Sequence, residues 1–297
     1  MAASFSTFRL QNDVHIAYEV RGSAHLGQQV PIVLVPGMVA LRNDWDRLSN
    51  VLARSRPVLL YDHRGMGDSY ASESAVQDIT IEVLARDLLS LLGHLGWKNV
   101  ALCGWSMGGV IVQQMLTLPF HQTMPTALPF RPTHVFLVAT RSVVLTSGLP
   151  YKAQSKPRTP EERKMLAIKM LEATFDPEWL KANPARFETL VKRSAIGIKT
   201  ATSVKLIDTS LQLQTFNFAD LLGKLPSSLK TLVIHGELDQ VIPFSAAQTI
   251  LGRMPSAQFL GAGTKHGELP TLSFGHHWYE YFDAEVWRDV FEVFMCQ

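Results

Sequence analysis

Five short runs that are apolar at every position recur along this chain: Ile32-Val33-Leu34-Val35, Val58-Leu59-Leu60-Tyr61, Val100-Ala101-Leu102-Cys103, Val135-Phe136-Leu137-Val138 and Leu232-Val233-Ile234. A continuous run, unlike an alternating one, suits a strand covered on both faces. Between the second and third runs, Leu84, Leu88, Leu91, Leu92 and Leu95 keep helical spacing, as do Val286, Val290, Phe291 and Phe294 near the C-terminus. A buried helix would account for any single run, but not for five alternating with helices. The pattern predicts a doubly wound α/β domain with a mostly parallel sheet. Phe5 to Leu10, the turn Gln11-Asn12-Asp13 and Val14 to Tyr18 read as a β-hairpin ahead of it.

One segment breaks the rhythm. From about Arg141 to Ala219 no strand-like run occurs. Thr159-Pro160-Glu161-Glu162 signals the start of an amphipathic helix, and further helical pieces surround Trp179 to Val191 and Thr202 to Leu213. We expect a core formed by 1–140 and 220–297, with 141–219 inserted as a helical cap over the carboxyl ends of the strands, where ligands bind in open α/β sheets. A purely structural bundle is the alternative. The stretch 119–132, with four prolines, is too long for an ordinary helix-to-strand loop and reads as a surface excursion.

Composition narrows the partners. The 297 residues are 46% hydrophobic and 18% charged, with 28 Lys and Arg against 26 Asp and Glu. No basic block runs along the chain, so nothing points to nucleic acid or an anionic membrane. Cys103 and Cys296 do not suggest a disulfide framework, and neither spacing resembles a metal site. The N-terminus lacks an apolar leader core, and no run approaches the ~18 apolar residues of a membrane span. The expectation is a cytoplasmic protein with a small neutral partner, no cofactor and no metal.

The chemistry centres on Cys103-Gly104-Trp105-Ser106-Met107-Gly108-Gly109, a Gly-x-Ser-x-Gly frame between a strand run and the helical Val110 to Leu116. Glycines let the backbone turn sharply there, lifting the Ser106 hydroxyl above the sheet and aiming the Met107 amide at a developing oxyanion. An incidental serine in a tight turn is the bland alternative, so partners matter. After Leu232-Val233-Ile234 comes His235-Gly236-Glu237-Leu238-Asp239-Gln240-Val241-Ile242-Pro243, with two acids on a loop at a strand end.

At this point the chain resembles the α/β-hydrolase fold family, in its serine hydrolase branch. The family's His-Gly-x-x-Asp-x-x-x-Pro stretch implies Asp239 as the acid of a Ser-Asp-His triad, with Glu237 the lesser candidate. Val35-Pro36-Gly37-Met38 resembles the family's oxyanion element, with Pro36 replacing the usual His, and implies the Met38 amide as a second donor beside Met107. Asp62-His63-Arg64-Gly65-Met66-Gly67-Asp68-Ser69 resembles an architectural loop of the family.

Three histidines downstream compete for the base. Distance from the acid favours His266. Proximity of a Gly-His pair to the last helix, starting near Asp283, favours His276 in Gly275-His276-His277. We prefer His276, because a loop before the base can lengthen freely whereas the helix must start beside it; His277 comes third. With Ser106, Asp239 and His276, the resemblance implies a serine hydrolase acting through an acyl-enzyme on a small to medium hydrophobic ester, lactone or thioester. A cofactor-free haloperoxidase or perhydrolase is one alternative. A catalytically weak ligand receptor on the same scaffold is the other.

Overall fold

The computed structural model describes residues 5–145, 159–194, 200–212 and 218–297. Strands β1 (Ser6–Leu10) and β2 (Val14–Arg21) form the expected hairpin, and β3 (Ile32–Val35) leads through helix α1 (Asp46–Leu52) to β4 (Val58–Tyr61). A two-residue strand β5 (Tyr70–Ala71) and helices α2 (Glu73–Gln77) and α3 (Ile81–Leu95) precede β6 (Asn99–Trp105), α4 (Met107–Thr117) and β7 (Arg131–Val138). Four helices follow: α5 (Pro160–Glu172), α6 (Pro177–Ala182), α7 (Pro184–Ser194) and α8 (Thr200–Gln212). The chain then returns through β8 (Lys230–Ile234), α9 (Ser245–Arg253), β9 (Ala257–Phe259) and α10 (Ala284–Met295).

The sheet order is β1-β2-β4-β3-β6-β7-β8-β9, with β5 added to β2. From β4 to β9 every neighbouring pair is parallel, while β1, β2 and β5 join antiparallel. Side chains alternate across the sheet, so each continuous apolar run feeds two cores. Val33, Val35, Leu59, Val100, Leu102, Val135 and Val233 face a layer containing α3, α4 and α9. Ile32, Leu34, Val58, Leu60, Cys103, Phe136, Leu232 and Ile234 face α1 and α10.

Apolar runs do not mark the ends of the strands, as β7 shows. It begins at Arg131, four residues before the apolar run, because Pro132 is accommodated at a register shift opposite Val100 and Ala101. The two-residue strand β5 is too short to carry a period in the sequence. The proline-rich 119–132 excursion is tied to α3 by Arg86, which donates to the Thr126 hydroxyl (2.8 Å) and the Met124 carbonyl (3.2 Å).

Between β7 and β8 the described residues hold helices and no strand. α5 starts on a capping box in which the Glu162 amide donates to Thr159 Oγ1 and the Thr159 amide to Glu162 Oε2. α8 packs on the loop after β4: Thr202 lies against Gly65, the Ser203 hydroxyl against Met66 Sδ, and the Thr209 hydroxyl donates to the Ile79 carbonyl (2.9 Å).

Candidate active site

Ser106 stands between β6 and α4 with φ 56° and ψ −121°, a conformation that L residues avoid and that stores of the order of 1–3 kcal/mol. Close approach makes it possible. A Cβ on Gly108 would fall 2.1 Å from the Val35 carbonyl oxygen, and one on Gly104 would fall 2.5 Å from Gly109 Cα. Only glycine lets α4 start this tightly against the ends of β3 and β6. Ser106 is thereby held by its own amide, which donates to the Val138 carbonyl (3.0 Å), and by its carbonyl, which accepts from the Thr140 hydroxyl (2.6 Å).

The structure brings three distant residues into one hydrogen-bonded line. Ser106 Oγ lies 2.9 Å from His276 Nε2, and His276 Nδ1 lies 2.8 Å from Asp239 Oδ2. The network assigns the Nδ1–H tautomer, leaving Nε2 to accept the serine proton. Asp239 is buried, and its other oxygen accepts from the Val241 and Ile242 amides, each at 2.9 Å. Burial acts to raise its pKa. The charge and hydrogen bond of His276, with the hydrogen bond from His235, outweigh that and hold the carboxyl below the usual carboxylate range. Glu237, the alternative acid, is exposed. His266, the alternative base, is a surface residue 3.4 Å from Asp289.

His277 faces away from the serine. Its Nδ1 lies 3.1 Å from the Thr174 hydroxyl, its amide donates to the Thr174 carbonyl (3.1 Å), and its ring stacks on Phe175 at 4.9 Å. Burial, then the positive charges of His276 and Arg186, lowers its pKa to about 3, so it stays neutral. It anchors the base loop to the segment after α5. The Trp105 indole N–H donates to the His276 carbonyl (2.9 Å) and so fixes the same loop from the nucleophile side.

Of the two amides expected at an oxyanion, that of Met107 directly follows the serine in the chain. Met107 is the first residue of α4, so its N–H has no carbonyl one turn back within the helix. Gly37 runs past the nucleophile, since a Cβ there would touch Ser106 Cβ at 3.5 Å, and Met38 follows it. The His63 Nε2–H donates to the Pro36 carbonyl (3.1 Å) and steadies that loop. Beneath it, Asp62 accepts from the Arg42 amide (2.8 Å) and pairs with the Arg42 guanidinium, while Arg64 forks onto Asp87. Among the described residues no three His, Cys, Asp or Glu side chains gather in a way that could hold a metal ion.

Several residues that shape the site escaped the sequence. His235 Nε2 lies 3.4 Å from Asp239 Oδ2 and donates to the Ile242 carbonyl (3.0 Å). Glu280, three residues past His277, has a fully buried carboxylate that accepts from Arg47 of α1 (2.8 Å) and from Arg186 of α7 (2.6 and 3.0 Å). The available signal was charge inside the aromatic segment Phe274 to Phe282, where a solvated surface would not place so many rings. A serine hydroxyl hydrogen-bonded to an imidazole that a buried carboxylate orients can act as a nucleophile in acyl transfer.

Known proteins agree at the level of family and fold. A model described as the alpha/beta hydrolase family matches residues 32–284. A protein of Pseudomonas savastanoi pv. phaseolicola provisionally named carbamate hydrolase RutD is 25% identical over 243 residues, covering 77% of this chain and 83% of that protein. A bromoperoxidase structure from Bacillus anthracis superimposes with a TM-score of 0.74 at 20% identity, covering 99% of this chain and 100% of that one. An esterase structure from Exiguobacterium antarcticum gives 0.71 at 21% identity, covering 98% and 99%.

Proposed function

Because the chain belongs to the alpha/beta hydrolase family, we propose that it is a serine hydrolase that cleaves a small to medium hydrophobic carboxylic ester, or a related lactone or thioester, through an acyl-enzyme. The observation that carries this reading is the unbroken line from Ser106 Oγ through His276 to the buried Asp239. His276 Nε2 takes the serine proton as Oγ attacks the acyl carbon, and the Met38 and Met107 amides receive the oxyanion. The proton then passes to the leaving alcohol, and a water deprotonated by the same imidazole releases the acid. Asp239 keeps the imidazole in the Nδ1–H tautomer and stabilises its cationic form.

The helices between β7 and β8 serve in this reading as a cap over the strand ends. The apolar groups packed at the base loop, Trp105, Phe175 and Trp179, favour a substrate with a hydrophobic acyl or alcohol part. The test is turnover of p-nitrophenyl butyrate together with fluorophosphonate labelling. Ser106→Ala is expected to lose both label and activity, with kcat reduced on the order of a thousandfold or more. Unchanged turnover by Ser106→Ala would remove the proposal. Peracid formation from acetate and hydrogen peroxide in the same assay would redirect it to the perhydrolase chemistry of the same acyl-enzyme.

A further inference from the structure

Four arginines are buried among the described residues, and one of them lacks an acid. Arg42 pairs with Asp62 and Asp68, Arg56 with Glu292, and Arg64 with Asp87. Arg141 is 6% exposed and meets no carboxylate; Nη2 of its guanidinium donates to the Ser210 carbonyl of α8. The segments 146–158, 195–199 and 213–217 contain no Asp or Glu, so no acid side chain in them can serve either. Burial without a counter-charge lowers its pKa to about 10, which leaves it cationic at neutral pH. A buried unpaired charge is among the costliest features a fold can keep.

Its position gives that charge a use. Arg141 follows β7 at the carboxyl edge of the sheet, one residue after Thr140, whose hydroxyl bonds the Ser106 carbonyl. Its own carbonyl accepts from Gln113 Nε2 (3.0 Å), which also bonds the Gly109 carbonyl (3.0 Å). This places the Arg141 backbone within about two turns of α4 from Ser106, on the order of 10 Å. Among the described residues the Nε and Nη1 donors have no hydrogen-bond partner.

Resting on the serine hydrolase reading above, we infer that Arg141 is the subsite for an anionic group of the substrate: the ester taken is a hemiester or carboxylated lactone, with a carboxylate a few carbons from the scissile carbonyl. The guanidinium fork matches a carboxylate with two parallel hydrogen bonds, and desolvation strengthens both. The competing role is structural, since the bond to Ser210 also caps the C-terminal turn of α8.

Paired substrates separate the two. Mono-p-nitrophenyl succinate, glutarate and adipate differ from p-nitrophenyl butyrate, valerate and hexanoate by a carboxylate in place of the terminal methyl. The wild-type chain is expected to prefer the hemiester by at least about tenfold in kcat/KM at one chain length. Arg141→Gln should bring that ratio towards one, and Arg141→Lys should restore part of it. A wild-type preference for the neutral ester at every length would overturn the inference, with no variant needed. Equal loss on both esters in Arg141→Gln, with a lowered Tm, would assign Arg141 to the helix cap and overturn it as well. Neutral-ester turnover that depends on Ser106 but shows no anionic preference would sink only this inference; turnover independent of Ser106 would sink the hydrolase reading.

Discussion

At Ser106 the backbone strain and the function proposed for the side chain have the same origin. A left-handed φ on a non-glycine residue persists only where neighbours over-determine it, and here the Val138 carbonyl and the Thr140 hydroxyl hold the peptide on both sides. The hydroxyl is then presented to His276 without a search through rotamers of a flexible loop. Choosing among histidines is a residue-scale question with a clear expectation. His276→Ala should lower kcat on p-nitrophenyl butyrate by about a thousandfold or more, while His266→Ala should stay within about twofold. Loss of activity in His266→Ala alone would reverse the assignment. Two sequence rulers pointed at different histidines because loop length between the last strand and the base is set by local excursions. The structure separates them by burial: His276 is enclosed beside Asp239, and His266 is on the surface.

At the scale of elements, the base loop is clamped from two directions. Glu280 ties it to α1 through Arg47 and to α7 through Arg186, and the Trp179 indole donates to the Glu280 carbonyl (3.2 Å). His277 adds Thr174 and Phe175 from the stretch after α5. The helices between β7 and β8 thus hold the same short segment that carries His276. Glu280→Gln leaves two guanidinium groups facing a neutral amide. Because Arg47 and Arg186 retain partial solvent contact, the expected loss is about 2–3 kcal/mol, below that of a fully sealed pair. A urea titration would show this as a lower midpoint at unchanged slope, accompanied by a lower kcat as the histidine loop loosens. An unshifted midpoint would mean that the clamp carries no load. The helical character of the inserted segment was readable from Thr159 to Glu162 and the spacing after it. Its grip on the base loop was not, since Arg186 and Glu280 are 94 residues apart.

The whole molecule responds to acid through groups that fold neutral. Burial lowers the pKa of His63 to about 4, against the smaller opposing effect of its bond to Pro36, and that of His277 to about 3. Both lie below the ordinary value near 6.5, so between those limits the unfolded chain binds protons that the folded chain refuses. The stability these two contribute is therefore complete above about pH 6.5 and falls as the pH drops towards 4, by at most about 3 kcal/mol per pH unit, and the buried Asp44 carboxyl, raised by burial to about 6, opposes part of that fall. Urea midpoints measured from pH 7 to 4 should show the His277 part of this as a flatter profile in His277→Asn than in the wild-type chain; identical profiles would contradict neutral burial of His277. No helix among the described residues is long and apolar enough to cross a membrane. The sequence by itself determined the layered α/β sheet and the strand-to-helix turn at Ser106, because continuous apolar runs and glycine spacing are local and periodic. It also narrowed the candidates for an acid and a base to a few residues on strand-end loops. Only the tertiary structure decided which histidine meets Asp239, how Glu280 joins the inserted helices to the base loop, and that Arg141 is buried without an acid. Burial, and pairing across 37 residues for His276 with Asp239 and 94 for Arg186 with Glu280, are properties of packing, and no local pattern encodes them.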